Sequence, residues 1–66
     1  MDIREAQELR AGDRVVWADG TAHRDVGTVD MPMNEHNASV TVVFESNGLT
    51  QHIWGRGLDR LTRLPR

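Results

Sequence analysis

The run Val40-Thr41-Val42-Val43-Phe44 constrains this chain more than any other stretch. Five consecutive β-branched or aromatic residues lose side-chain freedom in a helix and fit a pleated strand. In an extended strand Val40, Val42 and Phe44 point to one face, and Thr41 and Val43 to the other. The irregular stretch Pro32 to Ala38 precedes the run, and Ser46-Asn47-Gly48 comes after it. The run is bounded on both sides and long enough to be the central strand of a small sheet.

The rest of the chain supplies partners for that strand. Asn47-Gly48 is a strong hairpin signal, and it predicts a fourth strand over Leu49-Thr50-Gln51-His52-Ile53-Trp54. There Leu49, Gln51 and Ile53 face one way, and Thr50, His52 and Trp54 the other. Upstream, Gly12-Asp13 turns the chain into a first strand, Arg14-Val15-Val16-Trp17, with Val15 and Trp17 on one face. A polar loop over residues 18–25 leads to a second strand, Val26 to Met31, with Gly27, Val29 and Met31 as its expected inward face. A glycine inside a strand predicts a bulge or sharp bend at Gly27. Gly55-Arg56-Gly57 breaks the fourth strand, and Leu58-Asp59-Arg60-Leu61 reads as a single 3₁₀ turn. Leu61 to Leu64 reads as a short last strand, ended by Pro65. At the N-terminus, Asp2 and Glu5 have capping-box spacing, and Ile3, Ala6 and Leu9 recur every three residues. That segment is expected to be a short helix or an extended arm, stopped by Gly12. Five short strands predict an all-β fold, a small five-stranded barrel in one domain over residues 1–66. Residues 1–11 would be the N-terminal segment and residues 12–64 the barrel. Closure would remove the exposed edges of a five-stranded sheet.

Composition sets the limits of this fold. A 66-residue chain buries only about 60% of its unfolded surface, so one modest core is all it can hold. There is no cysteine, which excludes disulfides and thiolate zinc sites. His23, His36 and His52 lack the i, i+4 spacing of a helical metal site, so no metal is expected. No apolar run approaches a membrane span and Met1 to Glu5 carries no signal-type segment, so a soluble, cytoplasmic protein is expected. The eight cationic side chains are all arginine. Residues 1–45 hold four of them against nine carboxylates, whereas residues 46–66 hold Arg56, Arg60, Arg63 and Arg66 against Asp59 alone. Such polarity can orient a partner or a second copy of the chain.

The pieces Gly12-Asp13-Arg14-Val15, Gly27-Thr28-Val29, Val40-Thr41-Val42-Val43-Phe44 and Leu58-Asp59-Arg60-Leu61 resemble the SH3-like barrel superfamily. The resemblance covers most of the chain and implies a five-stranded SH3-like barrel with a 3₁₀ turn before the last strand. Within that superfamily the pattern looks like the ferredoxin:thioredoxin reductase variable chain, the photosystem I peripheral SH3-like subunit, and small bacterial and phage proteins. These imply a non-catalytic docking barrel. It is weakly similar to ribosomal and transcriptional KOW modules, which implies nucleic-acid binding. It is also similar to the type II plasmid-encoded dihydrofolate reductases, tetramers around one central pore whose active-site strand reads Val-Gln-Ile-Tyr. That likeness implies an NADPH and folate pore lined by Gln51, His52, Ile53 and Trp54. Only Ile53 matches that strand in place, with Trp54 as a conservative aromatic. Gln51 falls one position early, and the family's lysine is missing.

The residues favour an interaction module without catalysis or cofactor. Trp54, His52, Thr50, Val43 and Thr41 are expected on one outward face, where an exposed tryptophan marks a contact surface. A protein partner or self-association through the Thr50–Trp54 strand is the leading expectation. The alternative is that Ile3 and Leu9 fold over this face and cover it. Trp17 is expected in the core. With two Trp, one Phe and no Tyr, the chain offers few neighbours for an aromatic cage around a cation. Arg56, Arg60 and Arg63 are the candidate phosphate contacts of a nucleic-acid module, but the acidic N-terminal part works against that reading. No serine, histidine and aspartate set or phosphate-cradling glycine loop can be assembled.

Overall fold

The computed structural model describes residues 1–65. In chain order they form α1 (Ile3–Gln7), β1 (Arg14–Trp17), β2 (Asp25–Met31), β3 (Val40–Phe44), β4 (Thr50–Ile53), a 3₁₀ helix (Gly55–Arg60) and β5 (Leu61–Arg63). The strands make one antiparallel sheet in the order β4-β3-β2-β1-β5. Among the described residues no ladder joins β4 to β5. The expected closed barrel is therefore an open sheet in its pairing, with β4 and β5 as its two edges.

The sheet is built on the alternation that the sequence carries. Val15, Val29, Val40, Val42, Phe44, Ile53 and Leu61 converge in one apolar cluster. Val40 and Val42 on β3 and Val15 on β1 have no exposed surface, but the central place in the sheet, expected for the Val40–Phe44 strand, is taken by β2, which lies between them. The 3₁₀ helix adds Leu58 to the cluster, and the N-terminal segment adds Ala6 and Leu9. Asp2 caps α1 by accepting a hydrogen bond from the Glu5 N–H, as the capping-box spacing predicts. Ile3, by contrast, stays 55% exposed. Steps of three residues drift by about 60° each around a helix, so a residue six positions before Leu9 turns off its face. The Met1 amino group donates to the carbonyls of Leu58 and Leu61, which ties the segment to the end of the 3₁₀ helix.

The inward face expected for the second strand is corrected at Met31. Gly27 and Val29 face the core, but Met31 is 55% exposed. The β2–β3 register shifts between Val29 and Met31, where Val29 pairs with Val42 and Met31 with Thr41. Asp30 is thus an extra residue, and the bulge turns Met31, the last residue of the strand, to the opposite face. Met33 takes the vacated place in the core. The bulge is not at Gly27. A Cβ there would lie 2.4 Å from Val42 Cγ1 and 3.0 Å from the Val43 carbonyl oxygen, so this glycine permits a close approach of β2 and β3.

Element ends also differ from expectation. The fourth strand loses Leu49 and Trp54, and the last strand is three residues long. The 3₁₀ helix takes in Gly55-Arg56-Gly57, where the sequence predicts a simple break. Gly55 enters it at φ +57°, a left-handed conformation that suits glycine.

Candidate interaction site

Among the described residues, strand β4 pairs with β3 on one side and with no strand on the other. The Phe44 N–H donates to the Leu49 carbonyl at 3.0 Å, which sets the phase of the ladder, while the Phe44 carbonyl accepts from the Gly48 N–H at 2.8 Å in the turn. In an antiparallel pair such bonds recur at every second residue. Given the register Val42↔Gln51 and Val40↔Ile53, those residues also bond across to β3. The N–H and C=O groups of Thr50 and His52 then point away from the sheet. Trp54 continues the extended backbone at φ −148° and ψ 166°. Thr50, Gln51, His52 and Trp54 are all exposed, and Trp54 keeps 68% of its surface open. None of them carries a permanent charge.

Thr50, His52, Val43 and Thr41 fall on one face, as expected. Thr41 stands directly opposite His52, and Val43 opposite Thr50. Thr41 is a correction to the expected contact surface, because only 4% of it is exposed. It sits between Met31 on one ladder and His52 on the other, and its Oγ1 bonds to His52 Nδ1 at 2.9 Å. Thr41 therefore positions His52 instead of meeting a partner. The displaced Met31 joins this face in its place. The alternative that Ile3 and Leu9 cover the face is not what the fold does. Leu9 is in the core cluster and Ile3 is exposed. Ile3 and Trp54 border one shallow groove with Met1 and Leu58, which leaves the indole open.

Behind β4 lies a pocket of about 420 Å³ that sequence reasoning does not assemble. Trp17, Phe44 and Trp54 all line it, so every Trp and Phe of the chain borders one pocket. Gln51, His52, Ile53 and Asn47 come from β4 and its hairpin, and His23 and Asp25 from the start of β2 and the loop before it. Gly57 of the 3₁₀ helix closes one side. A Cβ on it would lie 3.3 Å from Ile53 Cγ2 and 3.8 Å from Trp17 Cη2. Trp17 is half-buried and packs against the core cluster, so its expected core position holds for only part of the ring. The sequence places Trp17 and Phe44 on core faces. The curl of the sheet that brings them near Trp54 has no local signal. The four residues of the pore reading, Gln51, His52, Ile53 and Trp54, also line this pocket.

Among the described residues, Asp25 is the one carboxylate on the core-facing side of the sheet. It stands opposite Trp17, is half-buried, and accepts a hydrogen bond from the Ser46 hydroxyl. Among the described residues the ion pairs are Arg14 with Glu45, Arg24 with Asp19 and His36 with Glu35, so no arginine neutralises Asp25.

Arg56 and Arg60 lie exposed on the 3₁₀ helix, and Arg63 lies exposed on β5. None of the three is in an ion pair among the described residues. Arg66 lies outside them. His23, His36 and His52 are exposed, and no group of three metal-ligating side chains gathers among the described residues. No helix there is long and apolar enough to cross a membrane. The chain matches no known protein family, no curated protein and no solved structure.

Proposed function

We propose that this protein is a small interaction module of the SH3-like barrel type, without catalysis of its own, that associates with a second copy through the Thr50–Trp54 strand. The observation that carries the reading is the undefended β4 edge. Sheet edges are normally blunted by charges, proline or a covering segment, because unpaired N–H and C=O groups recruit other strands. Thr50 and His52 offer those groups with no charge and no proline on the strand, and Trp54 stands exposed at the end of the row. An extended segment added there gains main-chain hydrogen bonds, and the indole adds apolar area. The open ladder order supports an SH3-like barrel left unsealed between β4 and β5.

Light scattering across a dilution series tests this reading with wild-type protein, Thr50→Lys and Trp54→Ala. Wild-type protein should exceed monomer mass at high concentration and fall toward it on dilution. Thr50→Lys places a charge on an exposed edge position without touching the core, and it should hold the protein monomeric. Trp54→Ala should weaken association by about 1 kcal/mol or more. A wild-type protein that is monomeric at every concentration removes self-association.

A further inference from the structure

The geometry points to a second binding feature, independent of the β4 edge: the pocket behind β4 is a receptor for a guanidinium cation, presented as an arginine side chain of a partner protein. Two observations carry it. The first is the gathering of Trp17, Phe44 and Trp54 in one pocket, in a chain with no other Phe, Tyr or Trp. A small protein short of core material gains stability by burying its largest rings, yet Trp54 remains 68% exposed at the rim. Ring faces attract cations, and a planar guanidinium stacks on them while its edge stays free to donate.

The second observation is Asp25. It occupies a core-facing strand position, a place where a carboxylate is rarely left without a cation. No arginine of the described residues reaches it. Arg14 and Arg24 are engaged with Glu45 and Asp19, and Arg56, Arg60 and Arg63 do not line the pocket. The Ser46 hydroxyl holds one carboxylate oxygen in place. Asp25 is the only permanent charge in the lining, so the complementary ligand is cationic. Gln51, also in the lining, supplies a neutral amide acceptor. A guanidinium has five donors in a rigid fork, which suits a lining that offers both a carboxylate and an amide oxygen. An ammonium offers no flat face to the rings.

The test uses the whole protein and three small probes: Nα-acetyl-arginine amide, its lysine counterpart and its uncharged citrulline counterpart. The two indole N–H resonances, assigned with Trp17→Phe and Trp54→Phe, report occupancy. The arginine probe should shift both signals saturably, with half-saturation on the order of 1–10 mM. Citrulline, the same shape without the charge, should bind about tenfold more weakly or worse, and lysine should fall between the two. Asp25→Asn keeps an acceptor for Ser46 and should cost the arginine probe about tenfold in affinity, while thermal stability stays level or rises. No saturable shift, equal binding of arginine and citrulline, equal binding of arginine and lysine, or an Asp25→Asn protein that melts lower and binds normally would each overturn the assignment. Because the probes are small molecules, Thr50→Lys should bind them as wild type does. The result is therefore separate from whether the β4 edge self-associates.

Discussion

The two edges of the sheet are built in opposite ways. On β5, Leu61 is fully buried opposite Trp17, and Arg63 is a charged residue on the core-facing side opposite Val15. Pro65 stands two residues later, and Arg60 precedes the strand. An inward-facing charge and a nearby proline are what keep an edge from recruiting another strand. On β4 no side chain is permanently charged, and only Ile53 is buried. One edge is anchored and guarded; the other is exposed and unguarded. Ordinary stability explains the first, because a three-residue strand needs its anchor. It does not explain the second, since a lysine at Thr50 would protect the edge at no cost to the core.

The contrast predicts mutational effects of very different size. Leu61→Ala should cost roughly 2–5 kcal/mol and leave little folded protein, because it opens a cavity under a short strand. The β4-side counterpart, Leu49→Ala, removes a side chain that is 56% exposed and should stay within about 0.5 kcal/mol. Urea unfolding of the two variants checks this, and equal losses would mean the edges are not differently anchored. Gly27→Ala should come next, at about 1–3 kcal/mol, because its Cβ would meet Val42 Cγ1 and the backbone of β3. The half of the sheet carrying β4 must then move relative to the half carrying β5, so the amide resonances of β3 and β4 should shift more than those of β5. One change should be a gain. Ala18 sits at φ +53°, and its N–H donates to the Arg60 carbonyl at 2.8 Å, next to the guarded edge. Ala18→Gly relieves that strain and should raise stability by up to about 1 kcal/mol in the same assay.

Much of the fold is legible in the residues, and the rest escapes them for specific reasons. The Val40–Phe44 run, the Asn47-Gly48 hairpin and the Asp2 cap are local patterns, and each element stands where its pattern lies. Met31 departs from its expected face because a bulge at Asp30 leaves no composition signal and turns the strand's last side chain to the other face. Thr41 departs from the expected contact surface because its burial depends on two neighbours on other strands. The aromatic pocket is invisible for a related reason. A count of three rings argues against a cage, whereas the curl of the sheet places all three together. Sequence periodicity tells which way a side chain points, but not what a curved sheet brings opposite it.

The bulge at Asp30 also gives the two methionines beside it unlike chemistry. Met31 presents its thioether to solvent, and Met33, two residues on, keeps only 9% of its surface exposed. A mild oxidant meets the first long before the second, because sulfoxide formation depends on access to sulfur. The product would place a polar, chiral sulfoxide beside Thr41 and His52 while the core remained chemically untouched. One inserted residue thereby separates an oxidisable surface from a protected interior over a span of three positions.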